Sequence, residues 1–151
     1  MKMHTLSRVA VLRRPIGEVF AFYTDAANLE LITPPWLGFR ILTPASVRMA
    51  RGARIDYRIR LHGIPLGWKT EITRWEPPHL FVDVQLRGPY RRWEHTHEFV
   101  EVGGGTEVRD RVSYAVGGGW PGEWVRRAFI APDLERIFDY RERVLAERFN
   151  R

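Results

Sequence analysis

Two histidines stand one residue apart in RWEHTHEF, Arg92 to Phe99, with a glutamate on either side. Imidazole changes charge close to neutral pH, so a His-x-His pair can ligate a metal, shuttle a proton or orient a polar ligand. Its partners decide which. On a strand, residues i and i+2 share a face, so His95 and His97 point one way while Glu94 and Glu98 point the other. The flanking carboxylates drop out, and Asp110 in GGTEVRDRVSY takes their place. A two-residue turn at Gly103 and Gly104, where positive φ is needed, sets Phe99 against Val108, His97 against Asp110, His95 against Val112 and Trp93 against Tyr114. The same register pairs Glu98 with Arg109 outside, and a slip of one residue would spoil both faces.

An inward His95, His97 and Asp110 group supports four chemistries. It can be a buried polar network whose members satisfy one another. It can line a cavity and orient a carbonyl, phenol or carboxylate. Two imidazoles and Asp110 can hold a metal with one position left open for water. A histidine held by Asp110 can act as a general acid or base. Arg141 in IFDYR is the other unusual residue, because it falls on the apolar stripe of a helix. Its ordinary explanation is a side chain that snorkels to the edge. Its functional reading is a carboxylate or phosphate anchor at a cavity mouth, or a partner for Asp83 or Asp110.

The elements that must position these residues are mostly strands. GARIDYRIRLHG puts Ile55, Tyr57, Ile59 and Leu61 on one face, and GWKTEITRW puts Trp68, Thr70 and Ile72 opposite Lys69, Glu71 and Thr73. A hairpin through HGIPLG with Leu61 facing Trp68 brings Arg58 opposite Glu71. In FVDVQL the parity is open: either Asp83 and Gln85 face inward with Phe81, or the two valines and Leu86 do. Before the strands, PIGEVFAFYTDAANLELITPPW predicts a helix with Pro15 in its first turn and a second short helix stopped by Pro34 and Pro35. TPPWLGF turns the chain and offers Trp36 as a shield for one opening. After the strands, Leu134, Ile137, Phe138, Arg141, Leu145 and Phe149 form the stripe of a long amphipathic helix. Pro132 sits in its first turn or kinks a helix that begins near Trp120.

Composition removes several function classes. The 151 residues have the length of one domain, 1–151, with a globular 44% hydrophobic and 13% aromatic content. No apolar run approaches the roughly 20 residues of a membrane span, and the N-terminal patch broken by Arg8 and Arg13 is not a signal peptide, so a cytoplasmic location is expected. Zero cysteines exclude disulfides, thiolate metal sites and cysteine nucleophiles. The formal charge of +6 suggests nucleic acid, yet the arginines are scattered among glutamates and no recognised phosphate loop or nucleic-acid motif appears. Nucleic acid is therefore not expected as a partner.

The order of one strand, two short helices, about six strands and a long helix fits an α+β domain in which a curved antiparallel sheet wraps the C-terminal helix. The segments VFAFYTDAANLELITPPWLGFRILTP, FVDVQLRGPYRRWEHTHEF, GGTEVRDRVSYAV and ERIFDYRERVLAERF resemble the START-like or SRPBCC superfamily, the helix-grip fold, and in particular its small bacterial members. The resemblance spans nearly the whole chain. It implies a small, largely apolar molecule held between sheet and helix, with no cofactor and no metal. Because D-x-Q precedes GPY and the paired histidines, it also implies that Asp83 and Gln85 face inward. The residues expected to contact a ligand are Tyr57, Ile59, Trp68, Asp83, Gln85, Trp93, His95, His97, Phe99, Asp110, Val112, Tyr114, Phe138 and Arg141. The expected function is that of a carrier or sensor. The alternative is a cyclase- or dehydratase-like enzyme, of the kind found among polyketide cyclases, with His95, His97 and Asp110 as the acid–base candidates. A homodimer is compatible with either.

Overall fold

Alternating polarity in the sequence becomes strand wherever it occurs. The computed structural model describes residues 2–44 and 48–150. Strand β1 (His4–Leu12) is followed by helices α1 (Ile16–Tyr23) and α2 (Leu29–Ile32) and by strands β2 (Arg40–Ile41), β3 (Arg54–Leu61), β4 (Ile64–Glu76), β5 (Leu80–Arg87), β6 (Arg92–Val102) and β7 (Gly105–Ala115). Helices α3 (Gly119–Val125) and α4 (Ala131–Phe149) then run on through a π-turn at Arg126–Ile130 as one helical rod of 31 residues. The strands form one curved antiparallel sheet in the order β1-β7-β6-β5-β4-β3-β2. This is the helix-grip architecture, with the rod lying in the concave face.

The β6–β7 hairpin has the expected register at every named pair, from Trp93 opposite Tyr114 to Phe99 opposite Val108. Gly103 and Gly104 take φ of 41° and 87° in its turn, and Arg109 meets Glu98 at 3.1 Å on the outer face. The β3–β4 hairpin differs from expectation by four residues. Leu61 lies opposite Ile64 and Tyr57 opposite Trp68, so Arg54 rather than Arg58 faces Glu71, at 3.4 Å. The reason is the tightness of the turn: His62 and Gly63 adopt φ of 51° and 82°, the left-handed pair that closes a two-residue loop. IPLG therefore continues the ladder instead of looping. A slip of four leaves every side chain on its expected face.

Helix α1 begins one residue later than expected, with Pro15 as the extended residue before its first turn. It lays Val19, Phe20, Phe22 and Tyr23 over one end of the concave face, where Phe20 meets Phe99 and Phe81 edge-on at 5.3 and 5.9 Å. Each such ring contributes about 1.5–3 kcal/mol by leaving water. Helix α4 buries Leu134, Phe138, Leu145 and Phe149 against the sheet. Its outer flank is tied to β1 by Arg8, which reaches Asp139 at 2.8 Å, Glu142 at 3.3 Å and Glu135. The rod starts near Trp120 as the sequence suggests, and the π-turn stands just before Pro132, which has no N–H to offer the helical ladder. No helix among the described residues is long and apolar enough to cross a membrane.

Candidate functional site

Strand β6 presents His95 and His97 to the concave face, and both are 5% exposed. Their rings stack on each other with centroids 3.7 Å apart, and Phe81 from β5 stacks on His97 at 4.0 Å. Two carboxylates bracket the pair. Asp110 of β7 accepts a hydrogen bond from His95 Nε2 at 2.8 Å, and Asp83 of β5 accepts one from His97 Nε2 at 2.7 Å. His97 Nδ1 lies 3.4 Å from Asp110 Oδ1, near enough for charge attraction but without hydrogen-bond alignment. His97 is thus shared between two acids, one from each neighbouring strand.

This asymmetry separates the two histidines electrostatically. Burial disfavours the charged form of both. For His97 the contacts with Asp110 and Asp83 outweigh burial and raise its pKa. For His95 burial, reinforced by the positive charge of His97, outweighs Asp110 and lowers it. Burial alone would push the two carboxyls up, yet the imidazoles hold Asp83 and Asp110 below the usual carboxylate range, Asp110 by a wide margin. Of the two imidazoles His97 therefore holds a proton more readily than His95, and both acids favour the carboxylate form.

Beyond this cluster lies a cavity of about 170 Å³ between the sheet and α4. Tyr57, Ile59, Trp68, Asp83, Trp93, His95, His97, Phe138 and Arg141 line it. The other five expected contacts do not. Asp110 sits behind the histidines, and Phe99, Val112 and Tyr114 are consumed in packing. Gln85 braces the β5–β6 loop instead, donating from Nε2 to the Tyr90 carbonyl at 2.7 Å and accepting from the Tyr90 N–H at 3.1 Å. A side chain this close to its own loop satisfies the backbone there, so Asp83 alone of that pair reaches the cavity.

Arg141 also departs from both expectations. It neither snorkels nor pairs with Asp83 or Asp110: its Nε and Nη1 are buried without a hydrogen-bond partner among the described residues, and its guanidinium lies 5.4 Å from the Phe138 ring centre. Trp36 does not shield the opening; it is exposed and packs edge-on against Tyr140 at 5.8 Å, while its neighbours Leu37 and Phe39 enter the lining. Sequence reading also missed Tyr23, Met49 and Tyr90. Tyr23 carried a signal, its place in the apolar spacing of α1, but the others stand on irregular segments where periodicity is silent. For a divalent cation the best-placed atoms belong to Asp83, His95 and His97, within 4.8 Å of one another, rather than to the triad with Asp110.

Residues 12–139 match the family described as polyketide cyclase / dehydrase and lipid transport. The chain belongs to this family. Solved structures with the same fold include the Zhui aromatase/cyclase from Streptomyces sp. R1128, 14% identical over 97% of this chain and 93% of that one, with a TM-score of 0.76. A START superfamily protein from Mycobacterium smegmatis is 15% identical over 95% and 98% of the two chains, with a TM-score of 0.69. Norcoclaurine synthase from Thalictrum flavum is 13% identical over 97% and 96%, with a TM-score of 0.68. No curated protein sequence matches this chain. Such identities establish the shared fold and leave the chemistry to the residues of this family member itself.

Proposed function

We propose that this family member binds a small, largely apolar molecule carrying at least one polar group, as a carrier or sensor. The observation that carries the reading is the cavity: an aromatic wall of Tyr57, Trp68, Trp93 and Phe138 around a few fixed polar groups, the composition of a small-molecule site. At about 170 Å³ it exceeds the roughly 150 Å³ engineered cavity that takes up benzene, so a one-ring molecule is of the right order. Trp68 and Trp93 meet edge-on at 5.2 Å on its wall and provide an intrinsic fluorescent report of occupancy. Native mass spectrometry of freshly purified protein, with elemental analysis, tests the reading. A co-purified small molecule supports it; repeated empty spectra together with no fluorescence response to one-ring aromatic compounds would sink it.

A cyclase- or dehydratase-like reaction is the second reading, favoured by one observation. His95 is kept neutral by burial and by His97, and its Nε2 is committed to Asp110, which leaves Nδ1 as the proton acceptor of a general base. The family description, polyketide cyclase / dehydrase and lipid transport, makes a polyketide the substrate class to try. Replacing His95→Asn separates the readings: a carrier keeps most of its affinity, whereas an enzyme loses turnover while binding persists.

A further inference from the structure

Four buried side-chain nitrogens lack a hydrogen-bond partner among the described residues: Trp68 Nε1, His97 Nδ1 and the Nε and Nη1 of Arg141. All four belong to residues on the cavity wall. Three of them share a polarity: the indole N–H of Trp68 and the guanidinium nitrogens of Arg141 can only donate, whereas His97 Nδ1 is turned toward Asp110, 3.4 Å away. These three donors find no acceptor among the described residues, and an occupant of the cavity can supply one.

Asp83 and Asp110 are each held by a histidine, His97 at 2.7 Å and His95 at 2.8 Å, so the oxygens that make these contacts are committed to the cluster. Arg141 forms no ion pair with a described residue. It stands one turn beyond Phe138 on the buried side of α4, and the Phe138 ring at 5.4 Å supports the guanidinium without neutralising it. Tyr23 and Tyr57 feel the charge of Arg141, while burial and the neighbouring Asp110 and Asp83 keep both phenols protonated. These O–H groups add to the donors around the same space.

We infer that the occupant is an anion, an aromatic carboxylate of about one ring, with its negative oxygens on Arg141 and its ring against Trp68 and Phe138. This rests on the binding reading above and narrows it from a molecule with any polar group to one with a charged acceptor. A guanidinium is well matched to such a group, because planar donors meet planar acceptors.

The test compares three compounds of equal size by calorimetry at pH 7: 4-ethylbenzoate, 4-ethylbenzamide and 4-ethylbenzylamine. In the unmodified protein the benzoate should bind at least roughly tenfold tighter than the amide, and the amine weakest. Arg141→Gln should bring benzoate and amide to within about threefold of each other while leaving the amide's affinity in place, and Arg141→Lys should keep part of the preference. If the amide or amine binds as well as the benzoate, or if Arg141→Gln keeps the tenfold ratio, the inference falls and the cavity remains a binding site for neutral molecules. If none of the three binds at millimolar concentration, the inference falls, and the binding reading falls with it only if native mass spectrometry also finds no co-purified molecule. Should Arg141→Gln fail to fold, the ratio in the unmodified protein and in Arg141→Lys decides.

Discussion

The two ends of the concave face are built from the same kind of residue and end in opposite states. At one end Phe20, Phe22, Phe81, Phe99 and Phe149 pack together as buried core. At the other, Tyr57, Trp68, Trp93 and Phe138 surround empty space. The difference is the lid. Helix α1 inserts Val19, Phe20, Phe22 and Tyr23 over the first end in addition to α4, whereas the second end is roofed by α4 and by the irregular segment that contributes Leu37 and Phe39. Two regular elements can interdigitate over a sheet; one element and a loop leave a void. The histidines mark the boundary, with His97 stacked on Phe81 of the packed end and His95 touching Phe138 of the open end at 5.7 Å. Aromatic content by itself thus does not distinguish core from pocket.

The contrast can be broken in order of effect. Truncating the packed end by Phe99→Ala should lower stability by about 3–5 kcal/mol, read from urea unfolding, because the interlocked rings cannot collapse into the gap. Overfilling the same end with Val108→Phe should cost about 1–3 kcal/mol, since Val108 is fully buried. The boundary should respond to pH, because its histidines and carboxyls bind protons differently in the folded and unfolded chain. The raised pKa of His97 gives stability that is complete below the unfolded value near 6.5 and fades as pH rises above it. The lowered pKa of His95 gives stability present above that value and lost as pH falls below it. Asp83 and Asp110 add stability that disappears below about pH 4. Urea midpoints from pH 3 to 9 should therefore peak near 6.5, and His97→Gln should remove the alkaline decline; a midpoint that keeps climbing to pH 9 would contradict the assignment. The smallest change is expected at the open end, where Ile59→Phe should shift stability by less than about 1 kcal/mol and block fluorescence changes on adding 4-ethylbenzoate, because the new ring enters space that is already empty.

How much of this could be read from the residues follows the same boundary. The β6–β7 hairpin was fully legible, because two faces and two glycines fix its register together. The β3–β4 hairpin was legible in its faces and not in its pairing, since any register of the same parity satisfies the alternation and the left-handed His62 and Gly63 select one. Asp83 was reached through family likeness rather than periodicity, which would have turned its neighbouring valines inward. Gln85 was lost to a loop contact that no pattern encodes. Arg141 was flagged for the right reason, a charge on an apolar stripe, and its freedom from Asp83 and Asp110 emerged only when the histidines were seen to engage both acids.

The π-turn before Pro132 bears on chain length. Each residue of an ordinary helix advances the direction of its side chain by about 100°, and a π-turn absorbs one residue without that advance reaching its neighbours. Were Arg126–Ile130 wound as ordinary helix, Trp120 and Trp124 would swing toward the side that carries Leu134; as it is they are 84% and 63% exposed. A one-residue deletion inside this turn should therefore leave both faces of the rod where they are. The same deletion after Leu134 would carry Leu145 and Phe149 off the sheet, and with them the arginine in the cavity. Tolerance to insertion and deletion in this helix is concentrated in five residues.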